Sequence, residues 1–152
     1  MEHSFQILDI IQQQFTGLLD GLSMEQLNQV PEGFNNNLAW NFGHIIASLQ
    51  MLCYARTGLP VRLDESFVHA YKVGTRPETV ITDEAWAGMK QLAAEGLEQL
   101  RADYRNGYFS DFKPYTTRTG IAVGSIEFAI QYTACHHGMH HGYAMALKRA
   151  LA

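Results

Sequence analysis

Residues 136–143 read His-His-Gly-Met-His-His-Gly-Tyr. Four of the seven histidines of the chain fall in this stretch. A neutral imidazole is a good ligand for divalent metals. On a helix, residues four apart lie on one face, one turn from each other, so two histidines at that spacing can grip one ion. The stretch holds two such pairs, His136 with His140 and His137 with His141. Both pairs cannot serve one ion from one face. The run does not read as a purification tag, because Gly138 and Met139 interrupt it and a helical pattern continues beyond it to the last residues.

A helical wheel started at Ile126 separates the two pairs. His136 and His140 lean towards the side that carries Phe128, Ala129, Tyr132, Tyr143 and Leu147. His137 and His141 lean towards the side of Glu127, Gln131, Lys148 and Arg149. The wheel therefore favours His136 and His140 as inward-facing ligands and puts His137 and His141 at a rim or in water, with the opposite register as the alternative. Two ligands hold an ion poorly. The third candidate is His44, in the middle of a helix that is apolar nearly all round, on a face shared with Trp40, Ala47, Met51 and Ala55. Three neutral imidazoles meeting inside a bundle serve better as ligands than as buried polar groups that each need a separate partner. His3 reads as a terminus and His69 as loop surface. Of the two cysteines, Cys53 reads as core, and Cys135 points away from its neighbour His136.

These side chains need four helices to carry them. The first spans roughly residues 5–22, with Phe5, Leu8, Ile11, Phe15, Leu18, Leu19 and Leu22 at three- and four-residue steps. A short turn follows, with Ser23 as N-cap and Gln26 at the capping-box position. The second long helix covers about 36–57, opened by the Asn35–Asn37 run and stopped by Gly58 and Pro60. A connection over residues 58–81 is long for a compact domain, and such segments often cover a site or an interface. The third helix spans about 83–106, capped by Thr82, with Trp86, Met89, Ala93, Leu97, Leu100 and Tyr104 as its apolar stripe. A second connection, 107–124, is rich in aromatics, Thr and Gly, and the last helix starts within 120–125 and runs to the C-terminus. No useful strand alternation or internal repeat is visible. The expected architecture is one all-α domain over residues 1–152, a four-helix bundle with long connections.

Composition narrows the partners. Lys and Arg number 11 against 15 Asp and Glu, for a formal net charge of −4, so no basic footprint for nucleic acid is expected. The apolar region at Leu38–Leu52 is broken by Asn41, His44, Ser48 and Gln50, too polar for a membrane span. Two cysteines make no disulfide framework, and the first residues hold no basic stretch followed by an apolar run. A cytoplasmic location without membrane or nucleic-acid partners is the expectation.

The segment "NNNLAWNFGHI", with Trp40 and His44 at Trp-x-x-x-His spacing, and the His-x-x-x-His-x-Gly pattern of His136, His140 and Gly142 together resemble the DinB-like family of small metal-binding helical-bundle proteins. The "GLP … GT" segment after the second helix is similar too, and the likeness covers most of the chain. Aligning Gly142 selects the pair that the wheel selects. The sequence departs from the family pattern at His137, where many relatives carry an acidic residue, and at His141, an extra histidine. The resemblance implies a four-helix bundle with a three-histidine site and open coordination positions, commonly a homodimer. Some relatives are transferases that use a low-molecular-weight thiol, and others resemble metal-dependent hydrolases.

The expected function is accordingly a divalent-metal-dependent enzyme acting on a small molecule, with His44, His136 and His140 holding Zn²⁺, Ni²⁺ or Fe²⁺ and activating a bound water or thiol. The other class is a non-catalytic metal-binding bundle or dimeric interaction protein. Tyr143, Tyr132, Glu127, Asn41 and His137 are the residues that could support the ligands.

Overall fold

The computed structural model describes residues 1–151. Four long helices make the bundle: α1 (Glu2–Leu19), α3 (Leu38–Cys53), α5 (Asp83–Arg105) and α6 (Ile126–Ala150). Between them lie two short helices, α2 (Met24–Asn28) and α4 (Glu65–Tyr71), and a two-stranded antiparallel hairpin, β1 (Tyr115–Thr116) with β2 (Ala122–Val123). Among the described residues, no helix is long and apolar enough to cross a membrane.

The caps read in the sequence are in place. Ser23 accepts from the Gln26 backbone while the Gln26 side chain accepts from the Ser23 backbone, which closes a capping box on α2. Asn37 caps α3 through Trp40, Thr82 caps α5 through Ala85, and Ser125 caps α6 through Phe128. Several boundaries differ from the sequence reading: the helix read as about 36–57 covers Leu38–Cys53, and the first ends at Leu19 rather than at 22. The first helix begins earlier, so His3 sits in its first turn and bonds to Gln6 at 3.2 Å. The last helix waits for the Ser125 cap, because the hairpin occupies residues 115–123 and Gly120 takes its turn at φ +84°. The 58–81 connection contains α4, whose seven residues are too few for a periodic signal to stand out.

α3 is the axis of the molecule. Thirteen of its sixteen residues are buried, as its all-round apolarity requires. It packs on α6, α5, α4 and α2, while α1 closes the bundle against α6 and α5. The core divides into two clusters. One holds Phe15, Leu19, Phe42, Ile46, Trp86, Ala93, Ala144 and Leu147. The other holds Phe5, Leu8, Leu49, Tyr54, Leu97, Leu100, Ile126 and Ile130. Beside them, Gln12, Gly96 and His137 line a space between α3 and α5. At one end, the buried Tyr54 hydroxyl donates to Asp103 Oδ2 at 2.8 Å, tying α3 to α5.

α4 lies on α3 at one place where the backbone approach is tight. A Cβ at Gly43 would overlap the Tyr71 ring, so only glycine lets α4 seat over the neighbouring His44. Gly43→Ala should therefore lower stability by about 1–3 kcal/mol through overpacking and speed proteolysis within residues 58–81. Gly88→Ala, where a Cβ meets nothing within 4 Å, should raise it by up to about 1 kcal/mol. Urea unfolding and limited proteolysis of the two variants check this pair.

Candidate metal centre

Three histidines from two helices converge on one point. One ligand-capable atom each from His44, His136 and His140 lies within 4.8 Å of the others. The ring centroids of His136 and His140 are 4.6 Å apart, as expected one helical turn from each other. His44 reaches them from α3, at 4.6 Å from His140 and 5.2 Å from His136. His44 is buried, whereas His136 and His140 are partly open to solvent.

Hydrogen bonds settle which ring nitrogens carry protons. His44 Nδ1 lies 2.6 Å from the Tyr71 carbonyl oxygen, which can only accept. Nδ1 therefore donates and the lone pair is on Nε2, where the Ser48 hydroxyl, 3.2 Å away, donates to it. His140 Nδ1 lies 2.9 Å from Asn41 Oδ1. The Asn41 amide is not free to flip, because its Nδ2 donates to the Asn37 carbonyl at 2.8 Å. His140 therefore also donates through Nδ1 and keeps a lone pair on Nε2. His136 is different. Its Nδ1 is buried and has no hydrogen-bond partner among the described residues.

The asparagines form a chain behind the site. Asn41, fully buried, is held by Asn37. Asn37 donates its amide to the Asn28 carbonyl at 2.8 Å, and Asn28 exchanges two bonds with the Ile81 backbone. This line runs from His140 through α3 and α2 to the segment that leads into α5. Trp40 completes the frame: its indole stacks on the His44 ring at 4.8 Å and 10°, and its Nε1 donates to Thr75 Oγ1 at 3.1 Å.

The site favours neutral imidazoles. Burial lowers the pKa of His44, and burial with repulsion from His44 brings His136 down to about 4. His140 falls to about 3, mainly through burial and then through His136 and His44. No carboxylate belongs to the group. Three neutral nitrogen donors, two with fixed tautomers and one with an orphaned nitrogen, suit a divalent cation of Zn²⁺, Ni²⁺ or Fe²⁺ type. The orphan costs about 1–3 kcal/mol if left without a partner.

The other residues singled out in the sequence fall elsewhere. His137 does not line a rim or face water. It is 2% exposed, its Nε2 donates to the Ile45 carbonyl at 3.2 Å, and it marks the true inner line of α6 with Ile126, Ala129, Ile130, Thr133 and Ala144. The wheel was turned by aromatics: Phe128 and Tyr143, read as inward, are 41% and 40% exposed. His136 and His140 thus sit on the flank of the buried face, and His141 packs near Phe15 with ring centroids 5.7 Å apart. Glu127 accepts from Tyr104, and Tyr143 packs on Phe34, neither in contact with the cluster. Tyr132 lies at its edge, 6.3 Å from His136. His69 stays outside, between Glu65 and Lys72. Cys53 is core against Thr133, and Cys135 is exposed. Sequence reasoning missed Ser48 and the Tyr71 carbonyl. Ser48 sits one turn after His44, a spacing that could have flagged it, but a backbone carbonyl leaves no mark in a sequence.

Burial makes acid the weak point of the fold. His137 has its pKa lowered from 6.5 to about 3, mainly by desolvation. The unfolded chain takes up its proton first, so the stabilising effect is whole above pH 6.5 and is lost as pH falls towards 3. His137 therefore costs the fold stability progressively as pH falls below 6.5. In chelator, the urea midpoint should drop between pH 7 and pH 5, and His137→Gln, though less stable at pH 7, should show a shallower drop.

A family model described as the DinB superfamily matches residues 7–144. The match spans most of the chain, with His44, His136 and His140 all inside it, and the chain belongs to that superfamily. No curated protein matches it.

Proposed function

We propose that His44, His136 and His140 bind one divalent cation, and that the chain is a metal-dependent enzyme acting on a small molecule through a coordinated water or thiol. The observation that carries this reading is the fit of the donors. Two Nε2 lone pairs are held in place by Nδ1–H bonds to Tyr71 and Asn41, and the third histidine has a buried nitrogen with no protein partner. What sets these three apart from His137, whose Nδ1 is also without a partner, is convergence: one ligand-capable atom of each lies within 4.8 Å of the others.

Bound there, the cation would act as a Lewis acid, making a coordinated water or thiol more acidic at neutral pH. The protein's own contribution is positional. Asn41 and the Tyr71 carbonyl orient two rings, which raises their basicity as ligands. Trp40 and α4 shield His44 from water, while the open side at His136 and His140 admits a substrate. Because no carboxylate sits in the group, the cation's charge would remain unneutralised and its effect on a bound nucleophile strong. Hydrolysis and thiol transfer both draw on this chemistry.

Self-association and a reducing, cytoplasmic setting belong to the same reading. Phe128, Met139, Tyr143 and Met51 are exposed apolar side chains on α6 and α3, and both cysteines are free thiols.

Metal analysis of untagged protein after reloading should find one ion per chain. His44→Ala, His136→Ala and His140→Ala should each abolish tight binding, and His141→Ala should leave it intact. Asn41→Ala should weaken affinity by about 10–100-fold without removing a ligand. Substoichiometric metal in the reloaded wild type, or metal loss in His141→Ala alone, would sink the assignment. Ester, amide and phosphoester hydrolysis and thiol conjugation, screened with chelated and reloaded protein, identify the reaction.

A further inference from the structure

A serine or threonine inside a helix commonly donates its hydroxyl back to the carbonyl one turn before it. Thr133 does so, to the Ala129 carbonyl at 2.8 Å. Ser48 does not. It sits in the interior of α3 between buried Ala47 and Leu49, and its hydroxyl turns to the side chain one turn back, His44 Nε2, at 3.2 Å. His44 Nδ1 is committed as a donor to the Tyr71 carbonyl, so Nε2 carries the ring's lone pair and Ser48 occupies it.

That lone pair is the one the ring offers to a cation, and it serves one partner at a time. A cation on His44 Nε2 therefore takes the acceptor away from the Ser48 hydroxyl. The hydroxyl stays close to the ion, because Ser48 and His44 are neighbours on one face of α3. Ser48 is half-buried, so a lost acceptor has to be replaced. Asn41 is already committed, with its oxygen to His140 and its amide to Asn37. Two acceptors remain: the His44 carbonyl, which α3 already uses in its own backbone ladder, and the outer ligand that the cation carries. An anionic ligand wins that comparison, because hydrogen bonds to charged acceptors are about twice as strong as neutral ones.

We infer that Ser48 is a positioning residue for the substrate side of the site: its hydroxyl donates to the outer ligand of the cation and favours anionic ligands whose coordinating atom keeps a spare lone pair, such as a thiolate or a carboxylate. The inference rests on the metal reading of His44, His136 and His140. It gives that site a preference which three neutral imidazoles alone do not supply, and it explains why a hydroxyl, rather than the alanine that α3 carries at position 47, stands one turn from His44.

Co²⁺ is the metal probe, since its visible spectrum reports a change of ligand. Metal analysis first establishes how much Co²⁺ the wild type and Ser48→Ala hold. Azide, 2-mercaptoethanol and imidazole are then titrated into each loaded protein. Ser48→Ala should bind azide and 2-mercaptoethanol about tenfold more weakly, the factor expected for one hydrogen bond to a charged group. Imidazole, whose coordinated nitrogen has no second lone pair, should bind both proteins alike. Ser48→Thr, which keeps the hydroxyl, should restore azide binding. Affinity for Co²⁺ itself, measured against a competing chelator, should stay level or rise in Ser48→Ala, because the variant removes the hydroxyl that occupies Nε2. Equal azide affinity in the loaded wild type and Ser48→Ala overturns the inference and leaves the metal site standing. So does an equal loss for imidazole, the mark of a distorted site, or a failure of Ser48→Thr to restore azide. A wild-type chain that takes up no Co²⁺ overturns the metal reading and this inference with it.

Discussion

A buried imidazole has two nitrogens, and each needs a partner or exacts a cost in stability. Five of the features that distinguish this bundle follow from meeting that demand in its middle layer. The Tyr71 carbonyl serves His44, Asn41 serves His140, and the Ile45 carbonyl serves His137. Gly43 exists to let α4 bring the Tyr71 carbonyl within reach. The Asn37 carbonyl holds the Asn41 amide in the one orientation that presents its oxygen. Take any of these away and a ring nitrogen loses its protein partner.

The same demand explains how α3, a helix with little amphipathic contrast, takes one orientation. α3 is buried nearly all round, and apolar burial alone would let it rotate about its axis. Directional bonds remove that freedom. His44 must meet the Tyr71 carbonyl, Asn41 must meet His140, and Trp40 must reach Thr75. Polar groups fix the rotation that the apolar surface leaves open, at the cost of desolvating them.

Much of this was legible in the sequence where the signal is local. Caps at Ser23, Asn37 and Thr82 are read from side-chain chemistry within one turn, and the four long helices from apolar spacing. His44, His136 and His140 were brought into one group by helical spacing and by resemblance, and the structure places them together. The rest depended on non-local contacts. The burial of His137 was hidden because α6 is apolar on several sides, so exposed aromatics such as Phe128 and Tyr143 looked like the core face. α4 was hidden by its brevity, and the hairpin by strands of two residues each. The role of Tyr71 lies in its backbone oxygen, which every residue possesses. The asparagine chain joins positions 28, 37, 41 and 81, and only the fold makes them neighbours.

The space beside Gly96 has a mechanical side. Unfolding releases the internal void of a protein to solvent, so the system loses volume when the chain opens, roughly in proportion to that void. The chain carries two spaces of about 210 Å³, one between α3 and α5 beside Gly96 and one beside α3 and α4 next to Tyr71, and both open to solvent. Water enters such spaces in the folded state, so unfolding eliminates little empty volume there, and hydrostatic pressure acts on this bundle more weakly than the size of the spaces suggests.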